Sequence, residues 1–110
     1  MDILVVENEE ECRTGVAKTL IACGHRVMSG RNLEEARGLL ECLRFDVLVS
    51  DISLPDGSGL ELMAEGKKKK GWKRAVALTG FMDPDERERS LRAGFDEYLT
   101  KPVDVYCLRS

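Results

Sequence analysis

Short apolar runs, each closed by a polar residue of a different kind, set the rhythm of this chain. Ile3-Leu4-Val5-Val6 runs into Glu7-Asn8, and Val47-Leu48-Val49-Ser50 into Asp51. Ala75-Val76-Ala77-Leu78 runs into Thr79, and Tyr98-Leu99-Thr100 into Lys101-Pro102. Short, continuous, largely β-branched runs are the mark of strands buried on both faces, as in a parallel sheet. Between them the apolar spacing lengthens to the helical three and four. Cys12, Val16, Leu20 and Cys23 share one face of a helix predicted over 9–23, which Gly24 stops. A short strand follows over 25–29, centred on Val27. Asn32 then caps a second helix, with Glu35 three residues on completing a capping box. Leu33, Ala36, Leu40 and Leu43 make its buried face, with Leu39 beside it.

The second half repeats the alternation. The third strand covers 47–50, and Pro55-Asp56-Gly57-Ser58-Gly59 has the chemistry of a turn. A third helix carries Leu60 and Met63, frays at Gly66 and ends near Gly71. The fourth strand covers 74–78. Asp83 and Pro84 open a fourth helix as N-cap and first position, and Gly94 ends it. The fifth strand covers 97–100. Strand and helix alternating with short loops predict an α/β, doubly wound, parallel five-stranded sheet of flavodoxin-like order 2-1-3-4-5. One domain covers residues 1–110. Its final helix is truncated, because only 103–110 remain after Lys101-Pro102. Asp104 caps at most a short segment there, with Val105 and Leu108 facing inward. The apolar strip this leaves exposed predicts self-association at high concentration, a homodimer burying the same patch on both copies.

Composition narrows the function classes. Hydrophobic residues make up 43% and charged residues 34%, which fits a globular domain rather than a disordered chain. The net charge of −3 supplies no general attraction to nucleic acid or to an anionic membrane. No apolar run reaches the length of a membrane span, and no signal-peptide pattern opens the chain, so a cytoplasmic location is expected. Cys12, Cys23, Cys42 and Cys107 form no Cys-x-x-Cys pair, and His25 is the single histidine, so structural zinc is disfavoured. Cys12 and Cys23 fall in the apolar stripe of the first helix, where reduced thiols packed as small hydrophobes are the simpler reading.

Open α/β sheets place their chemistry just beyond the carboxyl ends of the strands, at the point where strand order reverses. In the order 2-1-3-4-5 that point lies between strands one and three, where Glu7-Asn8 and Asp51 fall. An acid, an amide, a second acid, a hydroxyl and a lysine then converge on one edge. These groups suit holding a divalent cation and receiving a phosphoryl group.

On these residues the chain resembles the receiver domain of bacterial response regulators, over its whole length. The matching stretches are LVVENEEECR, FDVLVSDISLPDGSGLELM and AVALTGFMDPDERERSLRAGFDEYLTKPVD. The segments SDISLPDGSGLEL and ALTG are closest in style to receivers within or beside hybrid histidine kinases. The resemblance implies a two-component signalling role and no enzymatic turnover on outside substrates. Asp51 resembles the phosphoacceptor that attacks a phosphohistidine. Glu7 and Asn8 match the acidic pair that binds Mg²⁺, and the main-chain carbonyl of Ser53 matches a further metal ligand. Thr79 and Lys101 match the residues that bind the phosphoryl group, and Tyr98 matches the switch aromatic. The implied partners are a histidine kinase or phosphotransfer protein and a downstream protein.

Asn8 departs from that pattern, which normally has an aspartate. Glu7, Asp51 and Lys101 sum to a formal charge of −1, where an acid at position 8 makes −2. At ~4 Å and an effective dielectric of ~20 a unit charge is worth several kcal/mol before desolvation. Weaker Mg²⁺ binding is therefore expected. A receiver that no longer takes phosphate and acts as an interaction module is the second reading. A small Mg²⁺-dependent aspartyl phosphohydrolase is the third, disfavoured because Ser53 stands where those enzymes carry a second aspartate.

Other residues carry two readings each. Asn8, with Glu11 three residues on, also fits a cap of the first helix. Tyr98 also fits plain core. Trp72 fits either an exposed contact or a lid on the helix base. The run Lys67-Lys68-Lys69-Lys70 at a helix C-terminus reads as a solvated face favoured by the dipole. Glu9-Glu10-Glu11 repels phosphate, which argues against a flavin-binding protein.

Overall fold

The computed structural model describes residues 1–69 and 72–101, the side chains of 66–69 excepted. The elements run β1 (Asp2–Val6), α1 (Glu10–Ala22), β2 (Arg26–Gly30), α2 (Leu33–Cys42), β3 (Val47–Asp51), β4 (Ser53–Leu54), β5 (Gly57–Ser58), α3 (Gly59–Lys69), β6 (Arg74–Thr79), α4 (Pro84–Ala93) and β7 (Glu97–Thr100). Five strands form one parallel sheet in the order β2-β1-β3-β6-β7. That is the expected doubly wound order, since β6 and β7 are the fourth and fifth strands of the sequence pattern. The register pairs Val6 with Ser50, Asp51 with Leu78, and Thr79 with Thr100. The polar strand ends therefore line up along one edge.

Alternation along each strand sends neighbouring side chains into different cores. Leu4, Val6 and Leu48 join Leu33, Leu40 and Leu62 in one cluster. Ile3, Val5, Val47 and Val49 join Val16 and Leu20 of α1 in the other. Central strands buried on both sides explain why the apolar runs are continuous rather than alternating. The segment expected to form a truncated final helix, residues 103–110 with Val105, Cys107 and Leu108, lies outside the described residues. The lysine run lies outside the described side chains.

Most helix ends follow the capping residues. Asn32 Oδ1 accepts the Glu35 N–H at 2.9 Å, and Asp83 Oδ1 accepts the Asp85 N–H at 2.9 Å. Gly94 ends α4 at φ 115°, a left-handed turn that L side chains resist. Three details differ from the sequence expectation. The Glu35 carboxylate takes the N–H of Arg31 at 2.8 Å instead of closing the box on Asn32. Asn8 does not cap α1. The helix starts later, its cap residue is Glu9, and no side chain caps it. Instead the Arg13 guanidinium donates back to the carbonyls of Glu7 and Asn8, at 3.0 and 3.4 Å. Leu43 is not on the buried face of α2, because the helix stops at Cys42 and Leu43 is extended and exposed. Phe45, two residues further on, fills the core instead. Trp72 is half-buried against the first cluster rather than an exposed contact.

Candidate functional site

Three strand ends bring three charged side chains together. Glu7 follows β1, Asp51 closes β3, and Lys101 follows β7. The Lys101 ammonium lies 2.8 Å from Asp51 Oδ2, against Glu7 Oε1, and 3.5 Å from Glu9 Oε1. The main chain holds the lysine there, since its N–H donates to the Thr79 carbonyl at 2.7 Å. Glu7 is fully buried and Asp51 nearly so. Glu7 Oε2 accepts the Glu9 N–H at 3.0 Å, and Asp51 Oδ1 accepts the Ser53 N–H at 3.1 Å. Glu7 Oε1 is sealed from solvent and accepts no well-formed hydrogen bond.

Burial opposes each of these charges, and the neighbours decide the outcome. For Glu7, the Lys101 ammonium and the Glu9 N–H outweigh burial and hold the carboxyl below its ordinary range. For Asp51, burial joined by the Glu7 charge prevails over Lys101, and the carboxyl titrates above its ordinary range. For Lys101, burial is outweighed by Asp51 and Glu7, which hold its proton firmly. Burial, and then the charge of Glu7, push the Cys12 thiol up to about 11. Cys12 therefore stays protonated and packs against the second core as a small hydrophobe.

The remaining sequence candidates sit nearby but are differently engaged. Ser53 is exposed at the start of β4, beside Asp51 through its N–H. Asn8 is exposed, and its side-chain amide hydrogen-bonds to none of the described residues. Thr79 is buried, with its hydroxyl donating to the Phe81 carbonyl at 2.9 Å rather than reaching Asp51. Tyr98 is buried in the first core, and its hydroxyl donates to Glu86 Oε1 of α4 at 2.6 Å. It is therefore both core and polar link. Phe81 and Met82, just after Thr79, are large exposed apolar side chains, at 80% and 46%.

The donor set fits a hard divalent cation in part. Glu7 and Asp51 offer carboxylates, and Asn8 and Ser53 neighbour them along the chain. Among the described residues no three His, Cys, Asp or Glu side chains are arranged to hold a metal ion. A cation here would rely on two carboxylates, a carbonyl and water, which suits Mg²⁺, an ion that keeps several of its waters. Sequence reasoning missed Glu9. Counting it, Glu7, Glu9, Asp51 and Lys101 sum to −2, so its carboxylate offsets the charge lacking at Asn8.

Close approach of α3 completes the site floor. A Cβ on Gly59 would lie 2.4 Å from the Asp51 carbonyl oxygen, so only glycine fits there. Ser58 Oγ accepts the Leu60 N–H at 3.1 Å, and Glu61 Oε2 accepts the Ser58 N–H at 2.8 Å. That is a capping box, legible as Ser58-x-x-Glu61 though not read from the sequence.

The chain matches the family model of the response regulator receiver domain over residues 3–110. It is 39% identical over 106 residues to an uncharacterised 14.6 kDa protein in the sodA1 3′ region of Leptolyngbya boryana, covering 94% of this chain and 81% of that protein. It is 36% identical over 106 residues to the response regulator protein PilR of Pseudomonas aeruginosa, covering 96% of this chain but 24% of PilR. Among solved structures it is similar to a response regulator protein from Burkholderia pseudomallei, crystallised with a phosphorylated aspartic acid, calcium ion and citrate. There the TM-score is 0.90 at 28% identity, covering 98% of this chain and 64% of that one.

Proposed function

We propose that this chain, which belongs to the response regulator receiver family, accepts a phosphoryl group on Asp51. The donor is the phosphohistidine of a histidine kinase or phosphotransfer protein, and the result is a change in contacts with a downstream protein. The reading is supported chiefly by one observation: the Lys101 ammonium bridges the buried carboxylates of Glu7 and Asp51 at the sheet's switch point. The phosphorylated aspartate and calcium ion of the Burkholderia neighbour support it by analogy.

The chemistry follows from placement. The Asp51 carboxylate attacks phosphorus; an O–P bond forms as the P–N bond to the donor imidazole breaks, and the imidazole leaves with the electron pair. Lys101 keeps its proton throughout and moves its charge from the carboxylate to a phosphoryl oxygen. Glu7, Asp51, the Ser53 carbonyl and the Asn8 amide would hold Mg²⁺, which when bound neutralises charge on the phosphoryl oxygens. The Thr79 hydroxyl exchanges its bond with the Phe81 carbonyl for one to the phosphoryl group. Tyr98 is the residue through which that exchange is felt at α4, because its hydroxyl meets Glu86. The protein is consumed and regenerated as a carrier, so it signals rather than turns over a substrate.

Intact mass measured after incubation with Mg²⁺ and a small acyl phosphate tests this. A gain of one phosphoryl group that disappears in Asp51→Ala is expected. A gain that persists in Asp51→Ala removes the assignment. No gain in the wild type favours the interaction-module reading.

A further inference from the structure

The loop beyond Asp51 is anchored to a helix that contributes nothing to the site itself. β4 and β5 form a two-residue antiparallel ribbon that pairs Ser53 with Ser58, and Pro55-Asp56 is its tip. From that tip the Asp56 carboxylate reaches α2, 22 to 23 residues earlier in the chain. Oδ1 accepts the Leu33 N–H at 2.9 Å and Oδ2 accepts the Glu34 N–H at 3.1 Å. Those are the first two of the amides that a helix leaves unpaired at its start. Asn32 serves the third, on Glu35. The contact is close as well as polar. Gly57 has φ 151°, and a Cβ there would lie 2.5 Å from the Leu33 side chain. Leu54 and Leu33 are buried in the same core.

The ribbon thus has one end on α2 and the other on Asp51, through the Ser53 N–H. We propose that Asp56 is a positioning residue, whose grip on the first turn of α2 sets where the Ser53 peptide stands against Asp51. This rests on the reading of Asp51 and Ser53 above. A helix cap alone does not call for it, because Asn32 is already the local cap. What Asp56 adds is the link between α2 and the loop.

Asn32 supplies the control, since Asn32→Ala strips the other side-chain cap from the same helical turn without touching the ribbon. Two readouts decide: hydrogen exchange at the Ser53 amide by NMR without metal, and Mg²⁺ affinity by calorimetry. Asp56→Ala is expected to speed Ser53 exchange and to weaken Mg²⁺ binding about tenfold, as loss of an outer-shell support does. Asn32→Ala is expected to lower stability while leaving both readouts unchanged. Asp56→Asn keeps one acceptor oxygen and is expected to fall between wild type and alanine, which preserves the test if the alanine variant unfolds. Equal responses of the Asp56 and Asn32 variants, or none in the Asp56 variants, overturn the proposal. If Asp51→Ala leaves Mg²⁺ binding unaltered, the placement of the metal at Asp51 fails, while Ser53 exchange still decides the role of Asp56.

Discussion

Residues 7, 8 and 9 show how one helical entrance divides three polar side chains among different tasks. Glu7 ends a buried strand, so its carboxylate is sealed in and meets Lys101. Asn8 faces water. Glu9 turns back, giving its N–H to Glu7 and its carboxylate to Lys101 at 3.5 Å. Charge at position 8 is therefore an addition to a cluster that already carries −2. Coulomb attraction to a dication still grows with each carboxylate, but water at this exposed position screens much of it. Asn8→Asp is expected to tighten Mg²⁺ binding about tenfold, a net of ~1.4 kcal/mol surviving from the unscreened several. Calorimetric titration measures this directly. Equal affinities for wild type and Asn8→Asp would put residue 8 away from the metal.

At the scale of elements, what could be read from the chain depended on whether a feature is local. Central strands announced themselves because burial on both faces favours an unbroken apolar run, so Val47-Leu48-Val49 stands out from its surroundings. Asn32, Asp83 and Gly94 were legible because a cap is chemistry within three residues of a helix end. The meeting of Glu7, Asp51 and Lys101 was legible because strand order alone carries strand ends to one edge. Ribbon β4–β5 was not, since two residues per strand leave no periodicity to see. Nor were the partners of Thr79 and Tyr98, which depend on loop path and rotamer. Leu43 was misplaced because apolar spacing continued past the point where the chain leaves the helix for Phe45. The Tyr98–Glu86 bond now makes α4 and β7 one unit. Tyr98→Phe removes a hydrogen bond to a carboxylate without opening a cavity, and is expected to cost about 1.5–3 kcal/mol. Urea denaturation measures the loss, and amide exchange should rise in α4 more than in α2. An unchanged midpoint would mean that Glu86 finds water as good a partner.

For the whole molecule, the ion cluster joins three segments that lie some fifty residues apart, so protons and folding are linked through it. The two carboxylates enter that linkage with opposite signs. Burial raises Glu7, but Lys101 and the Glu9 N–H lower it further, so the fold favours the Glu7 anion. That stability is fully present above its ordinary value of 4.5 and is lost as pH falls through the lower folded value. Burial and the Glu7 charge raise Asp51, so the fold disfavours its anion. That penalty is absent below the ordinary 3.8, grows as pH rises to the folded value, and stays constant above it. Lys101 adds stability that is complete below 10.5 and disappears only in strong alkali. At neutral pH without metal, Glu7→Gln is therefore expected to lower the melting temperature and Asp51→Asn to raise it. Below pH 3.8 the Asp51→Asn gain should vanish, because the wild-type carboxyl is then protonated folded or unfolded. Thermal denaturation of both variants at acidic and neutral pH checks the pair of signs. A fall in melting temperature for Asp51→Asn at neutral pH would show that its bonds to Lys101 and Ser53 outweigh the burial of its charge. The buried acceptor would then be held by the fold rather than kept against it.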